Sequence, residues 1–320
     1  SGTGKLDVSG STWVLGGDFV KSSGTLTISQ TNLALTGSSK LTSDQALSFV
    51  TLNLNNYILT LGSSTSDLTV ANAITIDAST EGISTGGADL SLLAFLKISD
   101  GGVTSTGGAI SLLGGGQLSG TGKLDVSGST WVLGGDFEKS SGTLTISETD
   151  LALAGNSKLT SDQALSFVNL NLNNFTLTLG SSTSDLTVAN AVTIDASTEG
   201  ISTGEADLIL LSALTMSDGK LESSGGTIKF ARDKLSIFSG NAFLMLDDTL
   251  LTSDNSCMTF GNYASCDDGV GIAFILIDGE PNLSMTDSSK IAYITLSTTS
   301  GTVGSISTSG IANWEYCVIN

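Results

Sequence analysis

Histidine is absent from the 320-residue sequence, proline occurs once (Pro281), cysteine three times, and charged residues make up 13%, about half the share of an ordinary globular domain. Each shortage removes a class of function. Without histidine there is no imidazole general base, so Ser-His-Asp and Cys-His catalysis are excluded. A zinc site has neither a histidine nor a Cys-x-x-Cys pair to build on. Arg232 is the only arginine, and 12 basic residues against 31 acidic ones leave a net charge of −19. That surface repels a phosphate backbone, which excludes nucleic acid as a partner. No run reaches the roughly 20 apolar residues of a membrane helix, so no transmembrane segment is expected. The chain starts at Ser1 without a leader-like stretch and reads as a mature or excised product.

What is present is glycine, 39 residues of it, with serine, threonine and aliphatic side chains. Runs such as Lys5-Leu-Asp-Val-Ser9, Thr25-Leu-Thr-Ile-Ser29, Asn32-Leu-Ala-Leu-Thr36 and Ala73-Ile-Thr-Ile-Asp77 place an aliphatic residue at every second position. This is the period of a strand with one buried face. Gly10, Ser22-Ser23-Gly24, Gly37-Ser38-Ser39 and Gly62-Ser63-Ser64 punctuate them as turns.

Self-similarity organises the chain. Ser1 to Phe19 returns unchanged at Ser119 to Phe137, an offset of 118, and the match continues through TSDQALSF at Thr42 and Thr160 and TIDASTEGISTG at Thr75 and Thr193. The sequence therefore divides into a first repeat, 1–118, a second, 119–236, and a divergent segment, 237–320, that holds all three cysteines and Pro281. Tandem immunoglobulin-like sandwiches could carry a period of this length. The short, small-residue-rich strands, the absence of proline from the turns and the absence of a Cys-Trp-Cys core favour the alternative, an all-β parallel β-helix, or β-solenoid. About six coils of roughly 20 residues then fill each repeat, and the divergent segment supplies irregular coils that cap the array.

The runs LSGTGKLDVSG and SSGTLTIS resemble the Gly/Ser/Thr-rich repeats of bacterial surface β-helix proteins, of the autotransporter-passenger and large exported adhesin type. The resemblance implies a right-handed parallel β-helix displayed outside the cell as a stalk, adhesin or fibre. It carries no fixed catalytic motif to transfer.

Candidate sites are few. Cys257 and Cys266 could close a small disulfide loop in an oxidising compartment, leaving Cys317 free or available to a neighbour. Asp267 and Asp268, with Asp278 and Glu280, are the best local group of carboxylates, but both stretches carry turn chemistry; structural calcium near Asp267 and Asp268 is the secondary reading, and no catalytic, cofactor or metal residue is assigned. Asp77 and Asp195 in the TIDASTEG runs read as solvated turn residues. Asn53, Asn55 and Asn56, with Asn171, Asn173 and Asn174, read as turn residues that could join an asparagine ladder. Trp13, Phe19 and Phe49 and their copies Trp131, Phe137 and Phe167 read as packing residues rather than a carbohydrate-stacking stripe. Thr25-Leu-Thr27 and Thr143-Leu-Thr145 suggest an ice-binding face only if such elements recur in every coil. The closing run Trp314, Glu315, Tyr316, Cys317, Val318, Ile319 is apolar enough to dock on a neighbour.

The function expected from these readings is a non-enzymatic, extracellular structural subunit of a surface fibre or filament, self-associating end to end through its termini. A monomeric adhesin for glycans or a host surface is the second expectation. A polysaccharide-active enzyme and an ice-binding protein rank below both.

Overall fold

Alternating side chains can bury one face of each short strand only if something lies across it, and here the rest of each coil does. The structure, a computed structural model, describes residues 4–230 throughout and, between 235 and 319, the strands only. Among the described residues there is no helix, and the pairings between strands are parallel. The chain is a β-solenoid. The rival two-sheet sandwich is not formed: within residues 4–230 each strand instead pairs with one a coil away, about 19 to 24 residues along the chain. Two compact units are distinguished, Ser1–Ser157 and Lys158–Asn320, so the structural division does not follow the repeat boundaries.

In the first unit, three strands make one coil. One sheet stacks Phe19–Lys21, Ser39–Ser43, Ile58–Leu61, Gly82–Gly86, Gly102–Ser105, Lys123–Asp125 and Thr143–Thr145. A second runs through Leu47–Phe49, Leu68–Val70, Leu90–Leu92, Ile110–Leu112, Thr130–Leu133 and Asp150–Leu153. The third holds Ile74–Ile76, Leu96–Ile98, Gly116–Leu118 and Phe137–Lys139. Two smaller sheets begin the chain, Lys5–Asp7 on Thr25–Thr27, and Thr12–Leu15 on Asn32–Leu35 on Thr51–Asn53.

Register aligns the inward residues into columns. Leu47, Leu68, Leu90, Ile110, Trp131 and Leu151 are successive partners, as are Leu59, Ile83, Val103, Leu124 and Leu144, and all are buried. Large residues are matched by small ones: Phe137 stands opposite Gly116, where an added Cβ would come within 3.2 Å of the ring. Phe137 in turn meets Trp131 edge to face, with centroids 4.8 Å apart and planes at 89°, an arrangement that favours an aromatic pair beyond its buried area.

The repeat does not span a whole number of coils. From Lys5–Asp7 to its copy Lys123–Asp125 the chain advances by seventeen strands, five full turns of three and two strands over. The 118-residue block is therefore five and two-thirds coils, close to the six expected but not a whole number. Copied strands consequently land in different sheets: Phe19–Lys21 belongs to the first sheet of the unit, Phe137–Lys139 to the third.

The second unit is built in the same way. Its sheets stack Leu165–Phe167, Leu186–Val188, Leu208–Leu210, Thr227–Phe230, Leu250–Ser253, Lys290–Ala292 and Asn313–Glu315; Val192–Ile194, Leu214–Met216, Leu235–Phe238, Cys257–Phe260, Ala273–Ile277, Ile294–Thr298 and Val318–Ile319; and Thr176–Leu179, Gly200–Ser202, Lys220–Ser223, Phe243–Asp247, Asn282–Thr286 and Ile306–Ser309. The divergent segment thus continues the parallel pairing. It breaks the three-strand rhythm once, where Cys257–Phe260 pairs directly with Ala273–Ile277, the next strand in the chain.

Trp131→Ala is expected to lower stability by about 3–5 kcal/mol, the range for a large aromatic lost from a packed core. Trp13→Ala, at the half-buried copy, should shift the urea midpoint by less than half as much; equal shifts for the two would contradict the column packing.

Candidate functional site: coil braces, a glycine groove and an open coil

Carboxylates in this chain do structural work that composition hides. The Glu81 side chain is buried, and its Oε2 accepts the backbone N–H of Asp77 at 3.1 Å while Oε1 accepts that of Asn56, one coil away, at 3.2 Å. Glu199 repeats the brace on Asp195 and Asn174 at 2.9 and 2.8 Å. The amide donors explain how a carboxylate is kept inside: hydrogen bonds to a charged acceptor are the strong ones, and without them burial would be prohibitive. The braced turn needs this support, because Asn55 and Asn56 both adopt left-handed backbone, with φ of 49° and 67°.

Aspartates at the surface, Asp89 exposed and Asp67, Asp185 and Asp207 half-buried, make a second set of links. Asp67 accepts the N–H of Asp89, and Asp89 that of Ala109, at 3.0 and 2.7 Å. In the second unit Asp185 and Asp207 do the same for Asp207 and Thr227, at 2.9 and 2.6 Å. Each bond joins one coil to the next just outside the strand ladder. Hydroxyls add to them: Ser63, Thr65 and Ser66 all donate to the Ser43 carbonyl, and Ser181, Thr183 and Ser184 to that of Ser161. Lys21, also buried, is paired with Asp44.

The sequence-predicted residues are distributed as follows. Asp77 and Asp195 are exposed turn residues whose amides are held by Glu81 and Glu199. Asn53 and Asn171 cap their turns by accepting the amides of Asn55 and Asn173, and Asn55 donates to the Leu35 carbonyl of the preceding coil. Phe49, Trp131, Phe137 and Phe167 are core residues. Thr25–Thr27 and Thr143–Thr145 each pair with a Lys-Leu-Asp strand, Lys5–Asp7 or Lys123–Asp125, so the threonine pairs do not stack on one another there. Cys257 begins a strand, and Trp314, Val318 and Ile319 lie on the last strands of their sheets. Cys266, Asp267, Asp268, Asp278, Glu280, Tyr316 and Cys317 lie outside the described residues. Among the described residues no three acidic or cysteine side chains gather as metal ligands, and no helix is long and apolar enough to cross a membrane.

Two surface features remain. On the first sheet of the first unit, Ile58, Gly82, Gly102 and Lys123 are successive outward partners. The two missing side chains leave a groove of about 410 Å³ floored by glycine, with Ser84, Thr104, Asp100 and Thr121 along it. Gly101 turns the corner beside it at φ 67°, where a Cβ would lie 2.2 Å from the Glu81 carbonyl. In the second repeat the position of Gly102 is Lys220, ion-paired with Glu222. The other feature is the first coil. Among the described residues Lys5–Asp7, Thr12–Leu15 and Phe19–Lys21 each pair on one side only, and Leu6, Val14 and Val20 are 39%, 57% and 67% exposed.

Comparison with family models, with curated proteins and with solved structures gives no match. Function is therefore argued from geometry alone. Sequence reasoning missed Glu81, Glu199 and the aspartate links. The TIDASTEG copies held one signal, a glutamate retained two residues before the inward Ile83 and Ile201.

Glu81→Ala is expected to cost about 1–3 kcal/mol, the penalty for leaving buried amides unpaired, and to speed hydrogen exchange at Asn56 and Asp77. Glu81→Gln should lose less, and unchanged exchange at both amides would remove the brace from the account.

Proposed function

We propose that this chain is a structural segment of an extracellular fibre, in which stacked coils supply length and stiffness and the coils at its two ends make the contacts to neighbours. One observation carries the reading. The duplicated block holds a non-integral number of coils, so within the first unit the strands of residues 119–157 lie in different sheets from their counterparts in residues 1–39. Such a copy does not extend a recognition surface or a catalytic face along one side of the stack. The inward columns, the parallel ladder and the coil-to-coil braces survive it. At the usual 4.8 Å between strands, each block adds about 27 Å of stack.

The supporting details agree with a scaffold. Phe49, Trp131, Phe137 and Phe167 are in the core, and the carboxylates of Glu81 and Asp67 accept backbone amides. An open coil is a ready template for another strand, because its N–H and C=O groups lack partners on one side. A second reading, glycan adhesion by a monomer, draws on the glycine-floored groove, whose hydroxyls, carboxylate and amine surround an apolar floor. Selective signals on a glycan array that vanish with Gly102→Lys would support it.

Purified chain should self-associate with rising concentration, visible as filaments by negative-stain microscopy. Deleting residues 312–320 removes the strands Asn313–Glu315 and Val318–Ile319. It should abolish association while leaving the β-sheet circular dichroism unchanged; normal filaments from the truncated chain would refute end-to-end assembly.

A further inference from the structure

Apolar side chains on the surface of an acidic chain are informative when they cluster, since scattered ones are ordinary. Leu93 and Phe95 are 47% and 44% exposed, at the corner between Leu90–Leu92 and Leu96–Ile98 in the first unit. The corner stacks in register. Leu93 donates its N–H to the Val70 carbonyl, Leu113 to that of Leu92 and Gly134 to that of Leu112, at 3.0, 2.9 and 3.0 Å, so Ala71, Leu93, Leu113 and Gly134 form one column. Beside it runs the outward column of the second sheet, Thr69, Ser91, Ser111 and Val132. Neither column holds a charge. The outward positions of the other two sheets do, through Lys123 and Asp125 on the first and Lys97 and Glu138 on the third. Past Leu113 the corner is bare. A Cβ on Gly114 would lie 2.5 Å from the Ala94 carbonyl carbon, and one on Gly134 2.9 Å from the Leu113 Cα, so the close approach of coils forces glycine there. A ridge of Leu93 and Phe95 therefore stands beside a hollow.

We propose that this strip is a side-to-side contact with a second copy of the chain, the two strips facing each other across a twofold axis. The contact is lateral, and so separate from the end contacts of the fibre reading. Charge selects the occupant. Copies that each carry −19 repel wherever their flanks bring charges together, and the strip lets them meet without one. A partner of opposite charge would be drawn to the acidic flanks instead. Shape agrees, because in an isologous contact the ridge of each copy enters the hollow of the other. Four coil levels about 4.8 Å apart, and three columns about 6.6 Å apart through Ser91, Leu93 and Phe95, give roughly 20 by 20 Å. Two such strips bury on the order of 800 Å² together, short of the roughly 1,200–2,000 Å² of stable complexes. The pairing is therefore weak between isolated copies and strengthens with the number of strips aligned. The second repeat supplies a contrast. Its corner returns with Leu211, 55% exposed, but Ala213 stands at the position of Phe95, and Lys229, the partner of Ile209, at that of Ser111. The fold thus accommodates, at equivalent positions, residues that remove the ridge and bring a charge into the strip.

The test is sedimentation equilibrium of the full chain under reductant, at about 0.05 M and about 0.5 M sodium chloride, which span strong to weak charge repulsion. Self-association should tighten at the higher salt, because screening removes the repulsion and leaves the apolar contact. Phe95→Ala with Ser111→Lys, the residues of the second repeat, and separately Leu93→Asp, should each raise the dissociation constant at least about tenfold. Ile58→Asp, at a residue 42% exposed on the first sheet, should leave it unchanged. Circular dichroism identical to that of the unaltered chain shows that each variant is folded. Association that neither strip variant weakens, that Ile58→Asp weakens equally, or that loosens as salt rises overturns the inference. So does a chain that stays monomeric at about 1 mM in the higher salt. Deleting residues 312–320 separates this contact from the fibre reading. Lateral pairing should persist in the shortened chain, and its loss there would place the contact at the ends and overturn the inference, whereas loss of filaments alone would not touch it.

Discussion

A parallel ladder between successive coils is the constraint from which the rest follows. Each strand of two to five residues finds its hydrogen-bond partners on neighbouring coils, so its side chains must alternate between a shared interior and the surface. In-register stacking then sets like positions above one another, and an inward leucine at one level requires an inward apolar residue at the next. Leu47, Leu68, Leu90, Ile110 and Trp131 form such a column. Where a bulky residue enters, as at Phe137, its neighbour Gly116 gives way.

The corners carry a different burden. A strand ladder leaves the residues just before and after it without regular partners, and buried or half-buried amides there must be satisfied by side chains. Asp67, Asp89, Asp185 and Asp207 do this from the surface, and Glu81 and Glu199 from inside. Much of the acidic composition is thereby spent on holding coil to coil. The same charge keeps the flanks of such objects mutually repulsive.

Much of this was legible in the residues. Period-two alternation in runs such as Ala73-Ile-Thr-Ile-Asp77, with glycine and asparagine at the corners, marks short strands, and the 118-residue offset marks an object that grows by stacking. The core placement of Phe49 and of Trp131, Phe137 and Phe167 was also readable from their apolar neighbours. The fractional number of coils per repeat was not, because one coil varies from about 19 to 24 residues and the fraction left over depends on where each corner turns. The inward role of Glu81 was hidden for a related reason. A glutamate between Thr80 and Gly82 has the composition of a solvated turn, and only the three-dimensional meeting of two coils brings the Asn56 amide to it. The groove over Gly82 and Gly102 was equally invisible, since it exists only because residues 20 apart share one register position.

Cross-linking between outward partners of adjacent coils tests the stacking itself. Thr69 and Ser91 are register partners, and Ser111 follows Ser91 one coil further on. With the three native cysteines replaced by serine, Thr69→Cys with Ser91→Cys should form a disulfide readily, because partners in neighbouring strands fall within the 4.4–6.8 Å Cα separation that a disulfide spans. Thr69→Cys with Ser111→Cys, two strands apart at about 9.6 Å, should not. Efficient closure of the second pair, or failure of the first, would contradict the parallel coil on which the account stands.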